Sequence, residues 1–316
     1  MTAHEITTAL GGQWHGSYGM VQCPAHDDGC TPGLKITDDD RKDDGIDVHC
    51  FAGCDWRQVK SAFRQSGLLP DFSRSNLSSD RTSPYQKANL KPPAADKRRQ
   101  AAKGMAIWQE SEAITGTLAE AYLQDRCITT ALPPSLRFHP ALPYWDTAGD
   151  KPVLLGDFPT LVSGITVWPS RSVVAVQAVY LNPKTAGKAD VGCPKKTFGP
   201  AAGGAVRLAA HGLRLALCEG VETGLSVLQS CNGLPVWATT GTAGLYNVTL
   251  PPIVTDLIIA ADADPPGEIA AQKSSQRFIA EGRRVKVAKP PHGHNDFNDA
   301  LVSQEAAQPG KATIHV

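Results

Sequence analysis

The sequence predicts an α/β protein of more than one domain, and three observations carry that expectation. From Leu213 onward, short apolar runs alternate with helical stretches, the pattern of a parallel sheet covered by helices. The first seventy residues combine close Cys and His pairs with few large apolar groups. Between the two lies a stretch rich in Ser, Pro, Lys and Arg that cannot bury enough surface to offset its ordering entropy. The 316 residues suit about two domains, and the 41% hydrophobic share excludes wholesale disorder.

Charge is balanced only in the sum, with 31 Lys plus Arg against 31 Asp plus Glu. A neutral chain would argue against a nucleic-acid partner. Residues 1–70, however, carry 6 basic and 10 acidic groups, and residues 71–103 carry 8 and 3. Residues 104–218 carry 10 and 8, and residues 219–316 carry 7 and 10. The segments therefore differ in sign. Residues 71–103 read as a flexible basic linker spanning roughly 30 Å as a coil, with Lys97-Arg98-Arg99 available to phosphate.

The N-terminal domain, residues 1–70, is expected to open with a helix over 4–10. Strands Leu34–Ile36 and Ile46–Val48 follow, joined by the acidic turn DDDRKDDG. Asp55 is placed to cap a helix that carries Trp56, Val59 and Phe63 on one side. So small a core needs a staple. Cys23-Pro-Ala-His26 and Cys50-Phe-Ala-Gly-Cys54 are two ligand pairs separated by 23 residues, and together they offer zinc a closed tetrahedral set. With no open position, one such ion is structural, and its binding energy adds to the stability of the domain. Cys30 and His49 are competing donors, His49 adjoining Cys50 and so facing the opposite side of a strand.

After the linker, Met105 to Arg126 reads as one helix with Ile107, Ile114, Leu118 and Tyr122 along a face. Residues up to 212 are punctuated by Pro and Gly and contain β-prone runs (GITVW, VVAVQAVYL), which predict a mixed, mostly antiparallel subdomain over 104–212. From 213 to 305 the order is strand RLALC, helix VETGLSVLQSC, strands PVWAT and DLIIAA, helix GEIAAQKSSQRFIAEG and strand RVKVA, with a tail over 306–316.

Acidic residues follow these strands. Glu219 ends RLALC, and Asp262 and Asp264 end LIIAA. Ligands of parallel sheets bind at the C-terminal ends of strands. Side chains two apart on an extended chain share a side, so Asp262 and Asp264 would join Glu219 in a cluster. Such crowding of like charge calls for divalent cations, and all-oxygen donors suit magnesium or manganese. His294-Asn295-Asp296-Phe297-Asn298-Asp299 adds two more acids after the last strand. Cys218 precedes Glu219 at a buried strand end and reads as packing. No P-loop sequence occurs, so no helicase motor is expected, and GPAAGGAV reads as a turn.

The motifs LCEGVETGLSV, LIIAADADPPG and HNDFNDAL resemble the Toprim domain shared by bacterial-type primases, topoisomerases and some nucleases. CPAH…CFAGC resembles the zinc-ribbon-like domain of the same primases, and AEAYLQDRCI, LRFHPAL, Lys195-Lys196 and AVRLA add weaker likeness. The resemblance implies a zinc domain, a linker and a polymerase core ending in a Rossmann-like parallel-sheet Toprim domain. It implies a DNA primase, a nucleotidyltransferase of the short kind found in phages, plasmids and integrated elements. Glu219 then ligates metal or assists proton transfer, Asp262 and Asp264 bind metal, and Asp296 or Asp299 binds a second ion. Lys188, Lys195, Lys196 and Arg207 hold nucleotide and template. Two or more magnesium or manganese ions would act on the incoming triphosphate.

The sequence departs from the family at three places. Three residues separate Cys50 from Cys54 where cellular primases generally place two. Cys127 stands where relatives often have Gly, and His294 where a Lys often precedes the acid. The implied partners are single-stranded DNA, ribonucleoside triphosphates and a separate replicative helicase. No membrane segment or signal peptide is read, so the expected location is the cytoplasm. The rival readings are a Toprim metal-dependent nuclease and a non-catalytic zinc-containing DNA-binding adaptor.

Overall fold

A computed structural model describes residues 1–25, 32–50, 54–70, 94–146 and 152–307, and it divides into two units whose boundary falls at Gln100 and Ala101. His26, Cys30 and most of the expected linker lie outside the described residues.

In the first unit, α1 (Ala3–Ala9) begins with a reciprocal capping box between Thr2 and Glu5. Strands β1 (Gln13–Trp14), β2 (Gly19–Val21), β3 (Leu34–Asp38) and β4 (Ile46–Cys50) form one antiparallel sheet in chain order. Leu34 opposite Cys50 and Ile36 opposite Val48 turn inward, meeting Ile6 of α1 and Val59 and Phe63 of α2 (Trp56–Gln65). Asp55 caps α2 with Gln58 reaching back, as the pattern at that position predicts. Trp56 differs from expectation. It is 48% exposed, and the buried residues of α2 are Val59, Lys60 and Phe63. Lys60 reaches the acidic turn, donating to Asp44 Oδ1 at 2.5 Å and to the Ile46 carbonyl at 2.8 Å.

The second unit is organised on one sheet. Helix α3 (Ala94–Glu110) starts inside the segment expected to be linker, so residues 94–103 are helical. β5 (Glu112–Ala113) and α4 (Leu118–Asp125) follow. The single helix expected from Met105 to Arg126 is therefore two. The chain turns at Ser111, adds β5 to the sheet edge, and turns again at Gly116, whose φ is 75°. Ile107 on α3 packs with Tyr144, Val162 and Val176, while Ile114 and Tyr122 pack with Leu161, Ile165 and Val179. Adjacent residues of a strand face opposite sides, so α3 and α4 cover opposite faces of the same sheet. A helical period alone cannot reveal a strand edge between its halves.

β6 (Leu136–Asp146), β7 (Val153–Val167), β8 (Val173–Tyr180) and β9 (Lys195–Phe198) pair antiparallel. β10 (Gly204–Arg207) pairs antiparallel with β7 on one side and with β12 (Val236–Ala238) on the other. It thereby fuses the antiparallel region to the parallel strands β11 (Arg214–Cys218), β12, β13 (Asp256–Ala260) and β14 (Arg284–Ala288). Ten strands among the described residues make this sheet, with the main order β14-β13-β11-β12-β10-β7-β6-β5. The alternation in RLALC is explicit. Leu215 and Leu217 enter the core under α6 (Thr242–Asn247) and α7 (Pro265–Ala280). Ala216 and Cys218 enter the core formed with α4, α5 (Val221–Ser230) and α8 (Phe297–Ala306). Cys218 is fully buried there, in agreement with a packing role.

The C-terminus of α4 bears directly on one departure in the sequence. Ile128 N–H donates to the Leu123 carbonyl and Cys127 N–H to that of Gln124, the Schellman pattern in which a left-handed residue ends a helix. Cys127 supplies that residue at φ 59°, so the tight turn forms without glycine. A side chain costs about 1 kcal/mol in this region. Cys127→Gly is therefore expected to stabilise the protein by about 0.5–1 kcal/mol and raise Tm by about 2 °C in a thermal melt.

Candidate active site

Three strand ends and two helix starts converge at the C-terminal edge of the parallel strands. Cys218 pairs with Ala260, so Glu219 and Asp262 leave neighbouring strands at similar height. The Ala263 N–H donates to the Asn295 carbonyl at 2.7 Å and ties the Asp262–Asp264 turn to the loop bearing Asp296. Gly267 packs against the same turn, where a Cβ would come within 2.7 Å of the Asp262 carbonyl oxygen.

The acids are not equivalent. Asp264 caps α7, accepting the Gly267 N–H at 2.7 Å, and Asp296 caps α8, accepting those of Asn298 and Asp299. Each thus commits one oxygen to a helix. Glu219 Oε1 and Asp262 Oδ1 are buried and meet no hydrogen-bond donor among the described residues. Burial, then Asp262 and Asp264, push the Glu219 carboxyl up to about 8. Burial, then Asp296 and Asp264, push Asp262 up to about 7. Asp299 is exposed and adds to the repulsion at Asp262. Unpartnered buried carboxylate oxygens in a shared repulsive field suit a hard divalent cation, which would supply the missing partner and reverse the shifts.

Cation binding must then displace protons. Calorimetry of magnesium binding in buffers of different ionisation enthalpy is expected to show release approaching two protons at about pH 6 and falling to about zero above pH 9. Both folded pKa values are raised, so these groups favour the metal-free fold at low pH. That contribution is lost progressively as pH rises from the ordinary carboxylate range and is gone above about 8, and added magnesium should raise Tm most at the alkaline end.

The four expected basic residues separate into two sets. Lys195 lies with its Nζ 3.7 Å from Glu222 Oε2, and Glu222 and Asp296 both act on Lys188. Lys188 reaches solvent, yet crowding by protein pushes its ammonium below the usual lysine range, Glu222 opposing the shift while Lys195 and Arg126 reinforce it. Lys196 is the next residue of β9 and so faces the other way, its Nζ over the Tyr144 ring and donating to the Trp145 carbonyl. Arg207 donates to the Ser170 carbonyl at 2.9 Å and lies over the Trp237 ring. Neither Lys196 nor Arg207 is brought to the acids by these contacts, because strand alternation decides the side.

Glu222 and Arg126 were not marked as site residues by the sequence pattern, and Tyr122 was marked only as part of an apolar helix face. Glu222 is 6% exposed and accepts the Tyr122 hydroxyl at 2.8 Å. Burial opposes its charge, but Lys195 and Lys188 hold its carboxyl down at about 2. Arg126 donates to Asn298 Oδ1 at 3.0 Å, and Asn298 Nδ2 donates to the Arg126 carbonyl and to Ser226 Oγ, which anchors α8 beside α4 and α5. The spacing of Glu222 one turn after Glu219 was the available signal.

Residues 214–307 match the family model described as Toprim domain. This segment is a Toprim domain. Residues 97–208, just before it, match a model described as a domain of unknown function, DUF7146. No curated protein matches the sequence. Among solved structures, the primase fragment of the bacteriophage T7 primase-helicase protein is 19% identical, over 48% of this chain and 60% of that one, with TM-score 0.37. The chain thus spans less than two thirds of the T7 fragment. The zinc-binding and RNA polymerase domains of the Aquifex aeolicus primase are 13% identical, over 97% and 82%, with TM-score 0.40. The RNA polymerase domain of the Mycobacterium tuberculosis primase is 15% identical, over 68% and 82%, with TM-score 0.39. In the Toprim domain of this chain, Glu219, Asp262, Asp264 and Asp296 are the residues that would hold divalent cations.

The first unit carries its own candidate centre. The sulfurs of Cys23, Cys50 and Cys54 lie within 4.8 Å of one another, at the ends of β2 and β4 and at the start of α2. Zinc–sulfur bonds of about 2.3 Å in a tetrahedron set sulfurs about 3.8 Å apart, so the trio fits zinc. The Cys50 thiol, then burial, hold the Cys23 thiol above its ordinary range, a state that a bound cation would reverse. His49 is exposed on the opposite face of β4, as alternation requires. No helix among the described residues is long and apolar enough to cross a membrane.

Proposed function

We propose that the chain is a DNA primase, a nucleotidyltransferase that makes short RNA primers on single-stranded DNA for a phage, plasmid or integrated element, acting in the cytoplasm with a separate replicative helicase. The observation that carries this reading is the Toprim edge itself, where Glu219 and Asp262 keep buried oxygens without donors beside the cationic Lys195. Glu219, Asp262 and Asp264, with Asp296 or Asp299, would hold divalent cations, which when bound would supply Lewis-acid stabilisation of phosphoryl oxygens. Glu219 is also the carboxylate we assign to accept the proton of a primer 3′-hydroxyl. Lys195 and Lys188 bring positive charge to the phosphates of the incoming ribonucleotide. The cysteine trio, with His26 completing the set, holds a structural zinc in a unit that contacts template.

Incubation of the protein with random single-stranded DNA, magnesium or manganese and labelled ribonucleoside triphosphates tests the reading. Short RNA products are expected. Cleaved DNA without RNA would replace it with a Toprim nuclease, and DNA binding without magnesium uptake would leave an adaptor.

A further inference from the structure

Beside the carboxylate cluster lies a second ionic group built on a single buried anion. Glu222 sits in the first turn of α5 and is 6% exposed. Its Oε1 accepts the Tyr122 hydroxyl at 2.8 Å, and its Oε2 lies 3.7 Å from Lys195 Nζ. Arg126 lies over the Tyr122 ring, 5.0 Å from its centroid, and is fixed by Asn298. Lys188 interacts with Glu222, Lys195 and Arg126. Two cations from separate elements, Lys188 of the loop after β8 and Lys195 of β9, therefore act on one carboxylate, and Arg126 at the end of α4 lies beside them over the Tyr122 ring.

A buried ion pair is a poor way to gain stability, since well-packed apolar groups serve as well. What such a pair supplies is position. The Lys195 side chain is 36% exposed, so its ammonium meets Glu222 on the inner side and keeps donors for a ligand on the outer side. The three cations exceed the one anion, and the surplus positive charge lies next to the acids that hold divalent cations.

We infer that Glu222 is a positioning residue that holds Lys195, with Lys188 and Arg126 beside it, as a binding edge for the polyphosphate of a nucleotide. The inference rests on the nucleotide-handling reading above and deepens it. Removing the Glu222 charge makes the site more positive, which by itself favours anions. The loss of position outweighs this, because an untethered lysine must be reordered by each ligand that binds.

The probe is inorganic tripolyphosphate without divalent cations, titrated calorimetrically into the full chain. Glu222→Gln is expected to weaken its binding about tenfold, the scale of one lost charge-assisted contact, with Glu222→Asp recovering part of it. In primer synthesis the same variant should raise KM for ribonucleoside triphosphate about tenfold while kcat changes less than about threefold. Unchanged or tighter tripolyphosphate binding by Glu222→Gln, or an equal loss in kcat and kcat/KM at constant KM, overturns the inference. Should Glu222→Gln fail to fold, Lys195→Met decides instead, and binding as tight as wild type by that variant is equally fatal. A wild-type chain that binds tripolyphosphate but makes no RNA removes the primase reading alone. One that makes RNA while Glu222→Gln binds tripolyphosphate normally removes this inference alone.

Discussion

Replacing both Asp262 and Asp264 with Asn lowers ribonucleotide incorporation by about a thousandfold or more, the scale on which preorganised electrostatic groups act. The substitution is close to isosteric and removes two charges from the cluster. It spares the fold, because Asn caps helices as well as Asp and position 264 keeps its bond to the Gly267 N–H at the start of α7. It also relieves the repulsion that pushes Glu219 and Asp262 up toward 8 and 7. The metal-free variant should therefore melt no lower than wild type at pH 8, while magnesium no longer raises its Tm. Primer synthesis on single-stranded templates, with product sizing, reads the activity. Full synthesis by the double variant would sink the metal-dependent reading.

Stripping metal from the first unit with a chelator, or replacing Cys50 with Ala, unfolds residues 1–70 and leaves the second unit folded. The core there rests on a handful of large groups, among them Ile6, Leu34, Ile36, Ile46, Val59 and Phe63. A core of that size contributes only a few kcal/mol, whereas structural zinc binding is worth about 10–16 kcal/mol. Calorimetry is expected to lose one of two transitions, and hydrogen exchange should show protection vanishing only before residue 71. Metal analysis of the untreated chain should find about one zinc. Retained protection in the Cys50 variant would count against a structural ion.

Much of this was legible locally. The capping of α2 by Asp55, the alternation of Leu34–Ile36 with Ile46–Val48, and the four parallel strands with their terminal acids all follow from neighbours within a few residues. Three features did not follow. The helix expected from Met105 to Arg126 breaks because its two halves bury on opposite faces of the sheet. Lys195 and Lys196 looked alike as a basic pair, yet one meets Glu222 and the other Tyr144. Glu222 looked like an ordinary first-turn acid of α5, and only its contacts with Tyr122, 100 residues away, and Lys195 mark it out.

The order of the four parallel strands with α5 and α7, and the placement of Glu219, Asp262 and Asp264 after strand ends, came from the amino-acid sequence by itself. Period, capping and turn chemistry act over short separations and leave a readable trace. The tertiary structure decided that β10 joins two sheets into one, and that Asp264 and Asp296 serve as helix caps. Among the described residues it also left Glu219 and Asp262 as the acids with unpartnered buried oxygens. Burial and pairing at those atoms depend on which distant elements arrive beside them, and no local pattern of residues carries that information.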